Sequence, residues 1–145
     1  MGKTKLKAEN LEKLFLEILC ENKVREDVSN YLVKGIINAS LRGVDSHGIR
    51  LFPHYLEGLN KGRLNKNPSY GFKKTSAGTG LFEADHAPGH AAGMEGMKKA
   101  IELAKTNGIG MVAVTNSSHF GAAAYFAIQA ANENMIGLSF TPCYG

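Results

Sequence analysis

Apolar residues recur at helical spacing through the first sixty positions. Leu11, Leu14, Phe15, Ile18 and Leu19 fall on one side of a 3.6-residue repeat, which predicts an amphipathic helix over 9–22. Val28, Tyr31, Leu32 and Ile36 predict a second helix over 26–41, ended by Gly43. Phe52, Tyr55, Leu56 and Leu59 predict a third over 48–60, with Pro53 tolerated only in its first turn. The polar stretch Gly62-Arg-Leu-Asn-Lys-Asn-Pro68 then reads as a connection. It divides the chain into a helical N-terminal domain, 1–66, and the beginning of an α/β domain, 67–145.

Beyond the connection the period changes. Phe72 to Thr75 and Leu81 to Ala84 read as short strands around the Gly78-Thr-Gly80 turn. Met94, Met97, Ile101 and Ala104 are in register for a helix over 89–106. A buried strand over 109–115, a helix over 122–132 and a strand over 135–141 follow. This order predicts an α/β layer with parallel pairing between the last two strands.

Composition adds limits. At 145 residues, 43% hydrophobic and 21% charged, the chain fits a folded globular protein with a core of its own. No apolar run approaches the roughly 20 residues that span a bilayer, and the N-terminus lacks the apolar core of a secretory signal. The expected location is the cytoplasm. The net charge of +4 includes basic clusters at Lys3 to Lys7 and Lys61 to Lys66, but the lysines are spread thinly elsewhere and no aromatic stacking pattern accompanies them, which argues for a solvated surface and against nucleic acid or membrane. Cys20 and Cys143 lie far apart without ligand spacing; Cys20 reads as a small core residue.

Two polar clusters carry the candidate chemistry. Arg42-Gly-Val-Asp-Ser-His-Gly-Ile-Arg50 lies between two predicted helices, and Asn116-Ser-Ser-His-Phe-Gly121 follows a predicted strand. Imidazole exchanges a proton near neutral pH, and guanidinium clamps a carboxylate with two parallel hydrogen bonds. His47 and His119 are therefore candidate acid/base groups, and Arg50 a candidate carboxylate clamp one helical turn from His47. Asp45 reads either as a group that orients a histidine or as a turn residue. Ahead of a helix N-terminus, His119 is expected to stay neutral, or with Ser118 to act as a helix cap.

Other motifs read blandly. His86 and His90 in Asp85-His-Ala-Pro-Gly-His90 have zinc-like spacing, but Pro88 and Gly89 oppose a regular helix, so the stretch reads as a turn and no metal is expected. His54 reads as packing or surface. Gly108-Ile-Gly-Met-Val-Ala113 fits a glycine fingerprint formally, yet it precedes or forms a strand where a phosphate loop must follow one.

Arg42-Gly-Val-Asp-Ser-His-Gly48 with Pro53-His-Tyr55, then Gly108 to Val114, Ser118-His-Phe-Gly121 and Ile136 to Thr141, resembles the malate/L-lactate dehydrogenase family. That group is NAD(P)-dependent, includes ureidoglycolate, sulfolactate and diketogulonate enzymes, and has a non-Rossmann α/β fold. Its members are more than twice as long, so the resemblance implies the N-terminal part of a larger enzyme, truncated within the cofactor-binding domain. It further implies hydride transfer between NAD or NADP and a small anionic 2-hydroxy or 2-keto acid such as malate or lactate. His119 and His47 would be catalytic, with the assignment of base between them open and His119 favoured. Arg50 and Ser46 would bind substrate, although the family arginine commonly stands where this chain has Leu51. Thr141 and Cys143 would approach the cofactor, and the full-length protein would form a homodimer. Two alternatives remain: a non-catalytic fragment that only dimerises or binds partners, and a cyclic imine reductase of the same family.

Overall fold

Apolar spacing in the first part of the chain becomes a packed helical segment. In the computed structural model, which describes residues 6–142, α1 runs Ala8–Glu21, α2 Glu26–Leu41 and α3 Phe52–Asn60. Leu19 of α1, Val28, Leu32, Val33 and Ile36 of α2, and Tyr55 and Leu59 of α3 close one core between them. Phe15 and Phe52 stack across it with ring centroids 3.9 Å apart. Gly43 ends α2 in the left-handed region, φ 76°, where a side chain would be strained. Cys20, expected in the core, is exposed; it follows Leu19 by about 100° of helix turn, which carries it off the buried stripe.

Arg25 ties this segment to the polar connection. Its guanidinium pairs with Asp27 at 2.6 Å, donates to the Pro68 carbonyl and lies 4.9 Å from the centre of the Tyr70 ring.

The second part is a mixed sheet. Strands β1 (Gly71–Lys74) and β2 (Thr79–Ala87) pair antiparallel, and β2 pairs parallel with β3 (Met111–Ser117). Helix α4 (Gly89–Asn107) makes the crossover that parallel neighbours require and packs on α2, β2 and β3. Helix α5 (Ala124–Asn132) lies on α4, where Met94, Tyr125 and Phe126 form a small cluster.

Near its end the β2–β3 ladder slips. From Glu83 to Ala87 on β2 the partner advances only from Thr115 to Ser117, so β2 carries two more residues than β3. Asp85 and His86 on one strand and Asn116 on the other take positive φ. Glu83 spans the slip, accepting hydrogen bonds from the Thr115 hydroxyl and the Asn116 amide, each at 3.0 Å. Asp85 and His86 thus belong to a bulged strand end, where the sequence predicts a turn.

Two strand expectations are corrected. β3 begins at Met111 and is mostly exposed, because α4 and β2 cover one of its sides and nothing among the described residues covers the other. Met135 to Thr141 forms no strand, so the parallel pair is β2–β3 and not the last two predicted strands. After α5 the chain turns back, with Gly137 set against Ala127 and Ala130 of that helix, and the described residues of this stretch pair with no strand. No helix among the described residues is long and apolar enough to cross a membrane.

Candidate active site

The two polar loops meet. Asp45–His47 and Ile49–Leu51 are short 3₁₀ turns between α2 and α3, and the loop after β3 brings His119 over them. The rings of His47 and His119 stack with centroids 5.4 Å apart and an interplanar angle of 23°. Ser46, His47, Leu51, His54 and His119 line an open groove of about 280 Å³. That space suits a small organic acid.

Each loop is anchored from behind. The Ser40 hydroxyl, near the end of α2, accepts from the Ile49 N–H at 2.9 Å and fixes the first loop. The Ser118 hydroxyl accepts from the Gly89 N–H at 3.0 Å and donates to the Ala87 carbonyl at 3.3 Å. Ser118 therefore stitches the second loop to the start of α4, which is the capping role the sequence allows, on a different helix from the one expected.

Both histidines have one nitrogen occupied. The Ser46 hydroxyl meets His47 Nδ1 at 2.9 Å, and the Tyr55 hydroxyl meets His119 Nδ1 at 2.6 Å. Nε2 is thus the nitrogen each ring has left for a ligand. With Nδ1–H donating to the Tyr55 oxygen, neutral His119 has the Nε2 lone pair ready to accept a proton, and the resulting imidazolium can give it back while Nδ1–H still donates to Tyr55. Burial raises the Tyr55 hydroxyl above the ordinary phenol range, so it stays protonated through this exchange.

Burial, then the nearby charges of His47 and His54, holds His119 below the ordinary imidazole range. The sequence attributes its neutrality to a helix N-terminus, but α5 begins only at Ala124. Desolvation and neighbouring imidazoles do that work instead.

The geometry expected of Arg50 is not met. Gly48 is extended, φ −94° and ψ −157°, and breaks the helical turn that would align Arg50 with His47. Arg50 is exposed and makes no hydrogen bond among the described residues, while Leu51 faces the groove. Asp45 is exposed, and it is Ser46 that contacts His47. Thr141 is exposed on the stretch after α5, where its hydroxyl donates to the Pro142 carbonyl at 3.4 Å; Cys143 lies outside the described residues. The groove between the two loops has room for a small acid.

Tyr55 is the functional residue that periodicity hides, because it reads only as one more inward position of α3. Its hydroxyl, on a helix directly after the first loop, is the signal that separates it from Phe52 and Leu59. His90 is the other surprise: it is completely buried in the first turn of α4, while His86 stays exposed on β2.

Comparisons with known proteins identify the family and the fold. The sequence profile of the malate/L-lactate dehydrogenase family matches residues 6–144. The chain is 37% identical over 136 residues to the L-sulfolactate dehydrogenase of Methanocaldococcus jannaschii, covering 94% of this chain and 40% of that protein. It is 39% identical over 116 residues to the malate dehydrogenase of Pyrococcus abyssi, covering 80% of this chain and 32% of that protein. Among solved structures, malate dehydrogenase from Pyrococcus horikoshii OT3 superposes with a TM-score of 0.86 at 30% identity, over 92% of this chain and 40% of that one. The chain thus spans two fifths or less of the length of these relatives.

Proposed function

The chain belongs to the malate/L-lactate dehydrogenase family, and from that premise we propose that it provides the substrate-holding and proton-transferring part of a 2-hydroxy-acid dehydrogenase. The observation that carries this reading is His119, with Nδ1 engaged by the buried Tyr55 hydroxyl and its ring facing His47 across an acid-sized groove. In oxidation, His119 Nε2 accepts the hydroxyl proton of the substrate. In reduction the imidazolium returns that proton to the keto oxygen, with the Tyr55 oxygen accepting from Nδ1–H in both states. His47 and Ser46 orient the substrate oxygen from the opposite wall. Arg50 stands one residue from the groove wall, with no hydrogen bond among the described residues to hold it elsewhere, and is the cation we assign to the carboxylate.

A nicotinamide cofactor, NAD or NADP, supplies hydride chemistry when bound. The residues described here hold acid and proton, and Thr141 and Cys143 are assigned to the cofactor's edge only as part of the proposal. The same reading takes malate, lactate or a close analogue as substrate, the cytoplasm as location and a homodimer as the assembled form.

The test has two arms. Malate, lactate and sulfolactate are titrated into the protein while the imidazole signals of His47 and His119 are followed by NMR, with Arg50→Lys expected to weaken binding. Oxidation of the bound acid is then followed through nicotinamide absorbance with either cofactor. His119→Asn should lower turnover by about 10²–10⁴-fold and leave cofactor affinity nearly unchanged. Failure of every acid to move either histidine sinks the reading. Binding without turnover favours the non-catalytic alternative, and reduction of cyclic imines in place of keto acids favours the imine reductase.

A further inference from the structure

His90 is completely buried, and neither ring nitrogen has a hydrogen-bond partner among the described residues. Nothing in the proton chemistry above uses it. A hydrocarbon side chain would fill the same space without stranding two polar atoms, so its shape and contacts call for an account.

The ring sits in a slot made for it. A Cβ at Gly35 of α2 would lie 2.2 Å from His90 Cδ2, and one at Gly121, in the turn after His119, would lie 2.3 Å from Nε2. Two backbones thus close on the ring where neither carries a side chain. The Tyr55 ring meets it edge-on, centroids 5.3 Å apart at 76°, and Tyr125 lies 6.3 Å away. The flat five-membered ring is narrower than a phenyl, which suits a gap bounded by two glycines.

We infer that His90 is a positioning residue for the site: wedged between α2, α3 and the Gly121 turn, it fixes Tyr55 and, through the Tyr55–His119 hydrogen bond, sets the orientation of His119. The inference deepens the dehydrogenase reading and rests on it only for the role of His119. The groups that face His119 are Tyr55 and His54 from α3 and His47 from the 3₁₀ turn. Those that face His90 are Tyr55 and Tyr125, with His119 and His47 acting on it at longer range. Burial holds His90 neutral, its proton affinity lowered to about 3, so the wedge brings no charge to the site at physiological pH.

The test follows the His119 midpoint by NMR titration of the whole chain without substrate or cofactor. In His90→Ala the support behind Tyr55 is gone, water reaches its hydroxyl, and the His119 midpoint moves up towards the ordinary imidazole value of about 6.5. His90→Gln, planar and neutral, restores most of the original midpoint. Gly35→Ala leaves every site residue in place and pushes the ring from the α2 side, so it moves the midpoint in the same direction. Alanine's better helix propensity offsets part of the cost of pushing the ring, and this variant stands in if His90→Ala fails to fold. An unchanged His119 midpoint in whichever of His90→Ala and Gly35→Ala is folded by circular dichroism overturns the inference. Because no acid is present, that failure leaves the dehydrogenase reading intact.

Discussion

Leu32 and Ile136 are both aliphatic residues of predicted apolar elements; the first is completely buried and the second 93% exposed. The same contrast separates two larger regions. Among α1, α2 and α3 a core closes around α2, with Leu19 the fully buried residue of α1 and Leu14 on its outer edge left 48% exposed. Along β3 and the stretch after α5, Met111, Ile136, Leu138 and Phe140 stand open at 65%, 93%, 69% and 83%. Burial belongs to a pair of surfaces, and a single sequence pattern specifies only one of them.

The difference can be broken from either side. Leu32→Ala should cost about 2–5 kcal/mol, read as the shift in a urea midpoint, because the closed helical core cannot relax around the lost volume. A cost below about 1 kcal/mol would mean that this core is no better packed than the open region.

Charge sharpens the contrast next. His90 lies on the closed side, and its folded-state value of about 3 is below the 6.5 of an unfolded histidine. Between those values the unfolded chain binds more protons, so stability is fully present above about 6.5 and falls as the pH drops, by about 1.4 kcal/mol per pH unit. Denaturation at stepped pH should show that slope, and His90→Gln should flatten it. His119, also depressed, adds to the slope in the same direction. A profile that is level between pH 6 and pH 4 would place His90 in water.

Phe140→Ser should do least. Removing an exposed ring changes stability within about 0.5 kcal/mol, while sedimentation should show less self-association as the apolar patch shrinks. A large loss of stability there would show that the segment after α5 is packed and not open.

How far the sequence could be read follows the same division. The 26–41 helix is legible to the residue, because its stripe and the Gly43 stop are both local signals. The 135–141 strand is not, since its apolar alternation says nothing about whether a neighbouring backbone is there to pair. In the site, His47 and His119 stand out by chemistry, and their approach to 5.4 Å needs the fold. Tyr55 and His90 are hidden for opposite reasons. One looks like core and carries a hydroxyl into the site, while the other looks like a turn residue and is core. Arg50 shows the limit of counting turns, because one extended glycine reverses which neighbour faces the groove.

The slip between β2 and β3 has a consequence for what this chain can tolerate. Inward positions on β2 run 80, 82 and 84 and then shift to 87, with His86 exposed, so the positive-φ pair Asp85 and His86 moves the strand's phase by one residue and turns Ala87 inward. Ser118, stitched to Ala87 and Gly89, inherits that phase, and with it the placement of His119. Substitutions at Asp85 or His86 alter local strain but preserve the count. Removing either residue disrupts the bulge that brings Ala87 inward and displaces the start of α4 that Ser118 holds. Between Glu83 and Ala87 the number of residues is held more tightly than their identity.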